Sequence, residues 1–446
     1  MNYPVWDLTT FGGGFLIALI AVVHVLVSHF AVGGGAYLVM LEKQAYKNEN
    51  AGLLDYVKKH SKFFLLVTMV FGGLTGVGIW WTIALLNPAA TSSLIHIFVF
   101  GWAAEWVFFV GEIVALFIYF YTFGRMDRKN HMLIGWLYFF CAWMSLFLIN
   151  GIIDFMLTPG AWIENQNFWS GFFNPTFWPS LVFRTGLSLV LCGVFGFVTA
   201  AFLKDEKLRR SVMRTCALWV AAPFALMLLG GWWYLAALPE AQKAMIMGKS
   251  PELGVYMQTL LWFLPILFFA SMIMALRLPQ GFKKGFCFAI VAIALVYFGA
   301  FEFVREGARR PFIVYDHMYS NQVYVADLPA VQQAGFLASA KWVEHKEVTD
   351  DNLIAVGRDL FKLQCSACHS VGGVLNNIRP LVAKYDSVFG MDAQLDGLGK
   401  LNTYMPPFMG TRAERWALAN YIVHGPDLRI VREITPQQSV HEAAGH

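Results

Sequence analysis

The 446-residue chain is 57% hydrophobic and 16% aromatic, with only 14% charged residues, a formal net charge of +4 and a mean hydropathy of +0.53. Soluble domains carry about a quarter charged residues, so most of this chain is excluded from the soluble class, and so small a net charge, carried largely by loops, implies no nucleic-acid partner. Six cysteines give no disulfide framework. Apolar runs of about 20 residues predict transmembrane helices, and eight occur, at roughly 11–41, 62–86, 94–123, 131–157, 178–203, 211–237, 257–277 and 284–304. The first and third exceed the need of a bilayer and are expected to tilt or protrude. The first lacks a basic leader and a small-residue cleavage site, so it is expected to stay as a span. Lys43, Lys47, Lys58, Lys59 and Lys62 follow the first span, and Arg125, Arg128 and Lys129 follow the third. Lys204, Lys207, Arg209 and Arg210 follow the fifth, and Arg277, Lys283 and Lys284 the seventh. The alternate loops are nearly bare: none near Asn87, none from Pro159 to Pro179, and only Lys243 and Lys249 in the sixth. The basic loops are therefore expected on the cytoplasmic side and both termini outside.

Ionisable residues within spans cost free energy and mark function by default. His24 and His29 lie in the first span, Glu105 and Glu112 in the third, Asp154 near the outer end of the fourth and Arg184 near the outer start of the fifth. Glu302, Arg305, Glu306, Arg309 and Arg310 crowd the outer end of the eighth. At ~1.5 Å per residue His24 is about 15–20 Å deep, Glu105 is at a similar depth, and Glu112 is about one and a half to two turns deeper. His24 is a haem ligand or a histidine hydrogen-bonded to a neighbouring helix. His29 is about 140° further round the helix; a second ligand, a proton-path residue and a packing residue all remain open for it. Glu105 and Glu112, seven apart, share one face. Each reads as a proton carrier, an iron ligand or a neutral acid bonded to a neighbour, and together with the histidines they favour a proton path. Gly33-Gly34-Gly35 and Gly72-Gly73 read as close helix packing or room for a porphyrin. Cys141, Cys192, Cys216 and Cys287 read as small apolar fillers.

Beyond the spans, residues 313–350 are expected as a linker. Cys365-Ser366-Ala367-Cys368-His369 then reads C-x-x-C-H, the attachment site of a c-type haem. C-x-x-C alone would equally suit a redox dithiol or half a zinc site. Here Gly357 to Phe361 precedes it as an amphipathic helix, Tyr404-Met405-Pro406-Pro407-Phe408 supplies a thioether, and Thr411 to His424 forms a second helix. This order resembles a class I monohaem cytochrome c, and the domain is expected over 351–431 with a tail at 432–446. The resemblance implies one covalent haem c on Cys365 and Cys368, with His369 and Met405 axial and Met409 as the rival. His/Met ligation suits electron transfer. Such a haem is attached outside the membrane, in agreement with the loop charges.

Val304-Arg305-Glu306-Gly307-Ala308-Arg309-Arg310-Pro311-Phe312 resembles the V-x-E-x-G-R-Q-P-W stretch of subunit I of cytochrome bd quinol oxidases. Ala21-Val22-Val23-His24 and Ala36 to Glu42 resemble that family's A-M-Y-H and A-F-L-L-A-I-M-E. Asn150-Gly151 and Asn174-Pro175 also match family dipeptides. The resemblance covers most of residues 11–312. It implies His24 and Glu306 as membrane haem ligands, Arg309 and Arg310 as partners of haem propionates, and Glu112 as the deeper of the family's two glutamates, with Glu105 one residue from the position of the other. There are departures. Arg184 stands at the histidine of the family's third membrane haem, with Met257 at its methionine, and the quinol loop is reduced to about 238–256. The implied fold is all-α: a membrane bundle of about eight spans over 1–312 with a small cytochrome c domain. The implied cofactors are haem c and one or two haem b, with haem d open. The implied location is the plasma membrane, multi-pass, with the cytochrome c domain outside. The implied partners are a soluble or subunit-borne cytochrome c, or another periplasmic electron-transfer protein, and a second membrane subunit. Two functions remain: O2 reduction with cytochrome c electrons, and electron transfer within a larger respiratory complex without O2 reduction.

Overall fold

Backbone N–H and C=O groups find no partner in lipid, so an apolar run satisfies them within itself as a helix. The computed structural model describes residues 3–276, 279–401 and 403–428; Arg277, residues 429–431 and the expected tail lie outside them. Eight of the described helices are long and apolar enough to cross a membrane: α1 Gly13–Lys47, α2 Ala51–Leu86, α3 Val99–Tyr121, α4 Arg128–Phe155, α5 Phe177–Ala200, α6 Glu206–Ala237, α7 Leu253–Met274 and α8 Gly281–Gly307. The described residues are mostly helical with almost no strand, as the long apolar runs predict. One boundary differs markedly. Helix α2 begins at Ala51, well before the apolar run, because Leu53, Tyr56, Val57, His60 and Ser61 bury one amphipathic face while Lys58, Lys59 and Lys62 stay on the other. A π turn, Val67–Gly72, interrupts this helix.

Residues 17–325 form one compact unit. Helix α5 is its centre: 78% of its apolar window is buried, against 17–44% for the other seven. Small residues allow this. A Cβ on Gly230 of α6 would lie 2.6 Å from the backbone nitrogen of Phe183 on α5, and one on Gly193 of α5 would lie 2.5 Å from the Cys216 carbonyl of α6. The glycines of α1 face three ways. A Cβ on Gly33 would collide with Ser188 and Cys192 of α5, on Gly34 with Phe64 of α2, and on Gly35 with Tyr138 of α4. They serve close packing. Cys141, Cys192, Cys216 and Cys287 are free and buried. After α8 the chain makes a short antiparallel hairpin, β1 Phe312–Val314 with β2 Met318–Tyr319. Gln322 fastens the chain after it to the α2 end, accepting the Ala89 N–H at 2.9 Å and donating to the Leu86 carbonyl at 3.4 Å. The segment expected as a linker thus carries this hairpin and two short helices, Leu328–Ala334 and Phe336–Ser339.

The described residues of 1–16 and 326–446 form the second unit. Its helices are α9 Leu353–Gln364, α10 Ile378–Val382, α11 Val388–Asp396 and α12 Arg412–His424. Helices α9 and α12 cross at Gly357, where a Cβ would sit 2.5 Å from that of Tyr421. Thr411 and Glu414 form a capping box on α12. The Glu414 carboxylate also accepts the Phe336 and Leu337 N–H groups at 2.9 and 2.7 Å, fixing the preceding segment. The N-terminal residues run beside the C-x-x-C-H loop: the Val371 N–H donates to the Thr9 carbonyl at 2.9 Å.

Candidate haem sites

Cys365 caps the C-terminus of α9, and the Cys368 and His369 N–H groups both donate to its carbonyl, at 3.1 and 2.9 Å. The loop is thereby a turn that presents two thiols and an imidazole. His369 Nδ1 lies 3.2 Å from the Asn376 carbonyl. A carbonyl only accepts, so Nδ1 carries the proton and Nε2 offers a lone pair, as axial ligation of iron requires. Cys365, Cys368, His369 and Met405 are all half-exposed, whereas Met409 is fully buried. Gln364 holds Met409 by its backbone, donating to its carbonyl at 2.7 Å and accepting its N–H at 3.1 Å. The accessible thioether is that of Met405. Among the described residues no group of three or more His, Cys, Asp or Glu is placed to hold a metal ion by itself. The donor set fits a covalent haem.

The membrane histidines share this tautomer. The Thr75 hydroxyl donates to the Phe71 carbonyl at 2.6 Å, so its oxygen accepts from His24 Nδ1 at 3.1 Å and leaves Nε2 unprotonated. Gly76 lies under the same ring, where a Cβ would be 3.2 Å from Cε1. His29 Nδ1 donates to the Val25 carbonyl at 2.8 Å, and its Nε2 is buried without a partner. The two face different neighbours: His24 meets α2, while His29 meets Phe298 of α8 with ring centroids 5.5 Å apart. His60, which sequence reasoning passed over among the lysines, also has an unpartnered buried Nε2. It is boxed by the rings of Phe30, Tyr37, Tyr56 and Phe63, so a porphyrin has no face to approach.

Glu306 stands on the last turn of α8. Its carboxylate accepts from Arg310, and Arg309 approaches to 4.0 Å. By helix rise, Glu306 is about 12 Å outward of Phe298 and His24 about 7.5 Å outward of His29, so the two lie within about 5 Å in depth. Two guanidinium groups against one carboxylate leave a surplus positive charge, and Arg309 Nε and Nη1 are buried without a protein partner. Buried donors in this state call for an acceptor. Their chemistry fits the carboxylates of haem propionates.

Arg184 and Met257 do not form the ligand pair of a third membrane haem. Arg184 is 1% exposed and lies over the Phe301 ring, 5.3 Å from its centroid. Its Nε donates to Ser180 at 3.2 Å, Ser180 donates to Asn150 at 2.8 Å, and Asn150 donates to the Phe177 carbonyl at 2.9 Å. Nearby, Arg305 pairs with Glu302 at 2.6 Å. Met257 packs instead beside the apolar cluster of Leu157, Leu238, Ile246, Val304 and Ala308. A guanidinium has no lone pair for iron.

On α3 each carboxylate meets a hydroxyl of α4. Ser145 donates to Glu105 at 2.6 Å, and the Tyr138 hydroxyl lies 3.0 Å from Glu112 and 2.9 Å from the Ala31 carbonyl. Ser145 and Tyr138 escaped the sequence reading, although their spacing of seven mirrors that of the glutamates.

Residues 15–248 match the family described as cytochrome bd terminal oxidase subunit I. Residues 352–422 match that described as cytochrome c oxidase, cbb3-type, subunit III. No curated protein matches the chain. Among solved structures, the bd oxidase from Geobacillus thermodenitrificans is similar at 15% identity and a TM-score of 0.56, over 67% of this chain and 86% of that one. This last likeness is one of fold.

Proposed function

Since the chain belongs to the cytochrome bd terminal oxidase subunit I family, we propose that it reduces O2 with electrons received from a cytochrome c through its own haem c. The chain is a multi-pass respiratory haem protein of the membrane with a cytochrome c domain, taking haem b and haem c. In the proposed arrangement haem c is held by Cys365, Cys368, His369 and Met405 on the outer side. One or two haem b are held with His24 and Glu306, and Arg309 and Arg310 bind propionates. Haem supplies the electron-transfer and O2 chemistry; the residues orient it, exclude water and move protons. A second membrane subunit accompanies a subunit I.

The observation that carries the reading is the pair Glu105 and Glu112, each hydrogen-bonded to a hydroxyl on α4. Reducing O2 to water consumes protons along with electrons, and an electron wire needs none. His29 favours the second reading, an electron-transfer subunit, because its free Nε2 offers a further ligand. Reduced-minus-oxidised spectra with and without carbon monoxide separate the two. The oxidase reading expects c-type and b-type bands with a carbon monoxide shift in the membrane haem. Spectra indifferent to carbon monoxide would favour the electron-transfer subunit.

A further inference from the structure

Helices α3 and α4 form an antiparallel hairpin, and each step of seven along α3 is matched by a step of seven back along α4. Glu105 meets Ser145, and Glu112 meets Tyr138. The next step brings Tyr119 to His131. The His131 and Tyr119 rings stack with centroids 4.2 Å apart, and His131 Nε2 lies 2.8 Å from the Tyr119 carbonyl. Glu42 of α1 closes this third rung. Its Oε1 lies 2.7 Å from His131 Nδ1, and its Oε2 accepts from the Tyr119 hydroxyl at 2.7 Å. Glu42, Tyr119 and His131 are no more than 1% exposed.

We propose that Glu42, His131 and Tyr119 form the inner proton-loading station of the α3–α4 seam, and that it supplies Glu112 and then Glu105. The inference rests on the reading of those glutamates as proton carriers. The hydrogen bonds define what the station holds. The Tyr119 carbonyl only accepts, so Nε2 keeps its proton. The contact between Nδ1 and Oε1 then shares one further proton, which belongs to the imidazole or to the carboxyl at little cost in geometry. A proton arriving from inner water replaces one passed on to Glu112, and the station returns to its starting charge. Rungs seven residues apart are about 10.5 Å apart along the axis, so water molecules bridge them during transfer.

Two features separate a relay from a structural fastening. The three rungs hold only Glu, Ser, Tyr and His, side chains that give and take protons, whereas the ion pair at the outer end of α8 is built with Arg305 on Glu302. The third rung also lies within one turn of the α3–α4 connection, Thr122–Asp127, next to Arg125, Arg128 and Lys129. Around it, Tyr46 of α1 is an ionisable neighbour of Glu42 under the Arg128 guanidinium, 4.6 Å from its ring. The Phe123 and His131 rings meet edge to face, with centroids 4.9 Å apart.

The test uses full-length holoprotein in sealed phospholipid vesicles, reduced through haem c, with a pH dye in the compartment facing the α3–α4 connection. Proton uptake and membrane-haem absorbance are followed together. His131→Asn and Glu42→Gln should slow uptake about tenfold or more, with haem content and the rate of haem c reduction unchanged, while Glu42→Asp should retain uptake. Normal uptake in both variants would overturn the inference alone. So would loss of membrane haem in both, which would mark the cluster as a fastening. Absence of uptake in the unaltered protein would overturn the proton-path reading itself.

Discussion

Met405 and Met409 are four residues apart and differ in what their surroundings leave free. Met409 is completely buried and its backbone is held at both ends by Gln364. Met405→Ala should therefore abolish the weak near-infrared band of a methionine–iron bond while the domain stays folded. Met409→Ala should keep that band and lower stability by about 2–5 kcal/mol, as truncating a buried side chain does. The near-infrared spectrum reads the first, and chemical denaturation followed by haem c absorbance reads the second. At the membrane site, His24→Ala should deplete b-type haem and leave covalent haem c intact, since Thr75 orients its Nε2 for ligation. Unchanged haem b would make His24 a packing residue. These groups are candidates that the sequence itself offers, through C-x-x-C-H and a histidine in an apolar span. Their tautomers were not legible there. Each depends on a carbonyl or hydroxyl brought close by folding, and His60 shows that an unpartnered imidazole is not by itself a ligand site.

Helices were legible because their signal is local. Apolar length located eight spans, yet it placed the start of α2 too late, since apolarity marks the hydrocarbon layer and the amphipathic end at Leu53–Ser61 continues beyond it. Which helix would be central was not legible. Helix α5 reads like its neighbours, and only the glycine contacts with α1 and α6 put it inside. The α9–α12 crossing carries a prediction of this kind. Gly357→Val should force the two helices apart and cost roughly 1–3 kcal/mol, seen as a lower denaturation midpoint of the haem c signal. The N-terminal segment carries another. Burial opposes ionisation of Asp7, but the Thr9 hydroxyl and N–H, with Lys362 and Arg358, outweigh it and hold the carboxyl below its usual range. A depressed pKa in the folded state stabilises above the unfolded value, and that contribution is lost as pH falls through the folded value. Asp7→Asn should thus speed hydrogen exchange of the Val371 amide near neutral pH, and the difference should vanish in acid.

For the whole molecule, composition marked the membrane bundle and the Cys365–His369 motif with its flanking helices marked the haem c domain. The sequence did not show that residues 1–16 group with the C-terminal unit, because nothing local ties Thr9 to Val371. Orientation follows from loop charge: a reporter after Gly281 should read as cytoplasmic and one after Asn167 as external, and the reverse at either position would invert the arrangement. Electron input follows from what surrounds α6 and α7. Their connection is short, and the buried Arg184, whose Nε donates to Ser180, has no lone pair for iron. Quinol is therefore not the expected donor. The most direct test is oxygen uptake by the purified protein supplied in turn with a reduced soluble cytochrome c and with a quinol. Uptake is expected with cytochrome c, is lost when Cys365 and Cys368 are replaced by Ser, and is absent with quinol. Oxygen uptake with quinol that persists without haem c would contradict this route of electron input.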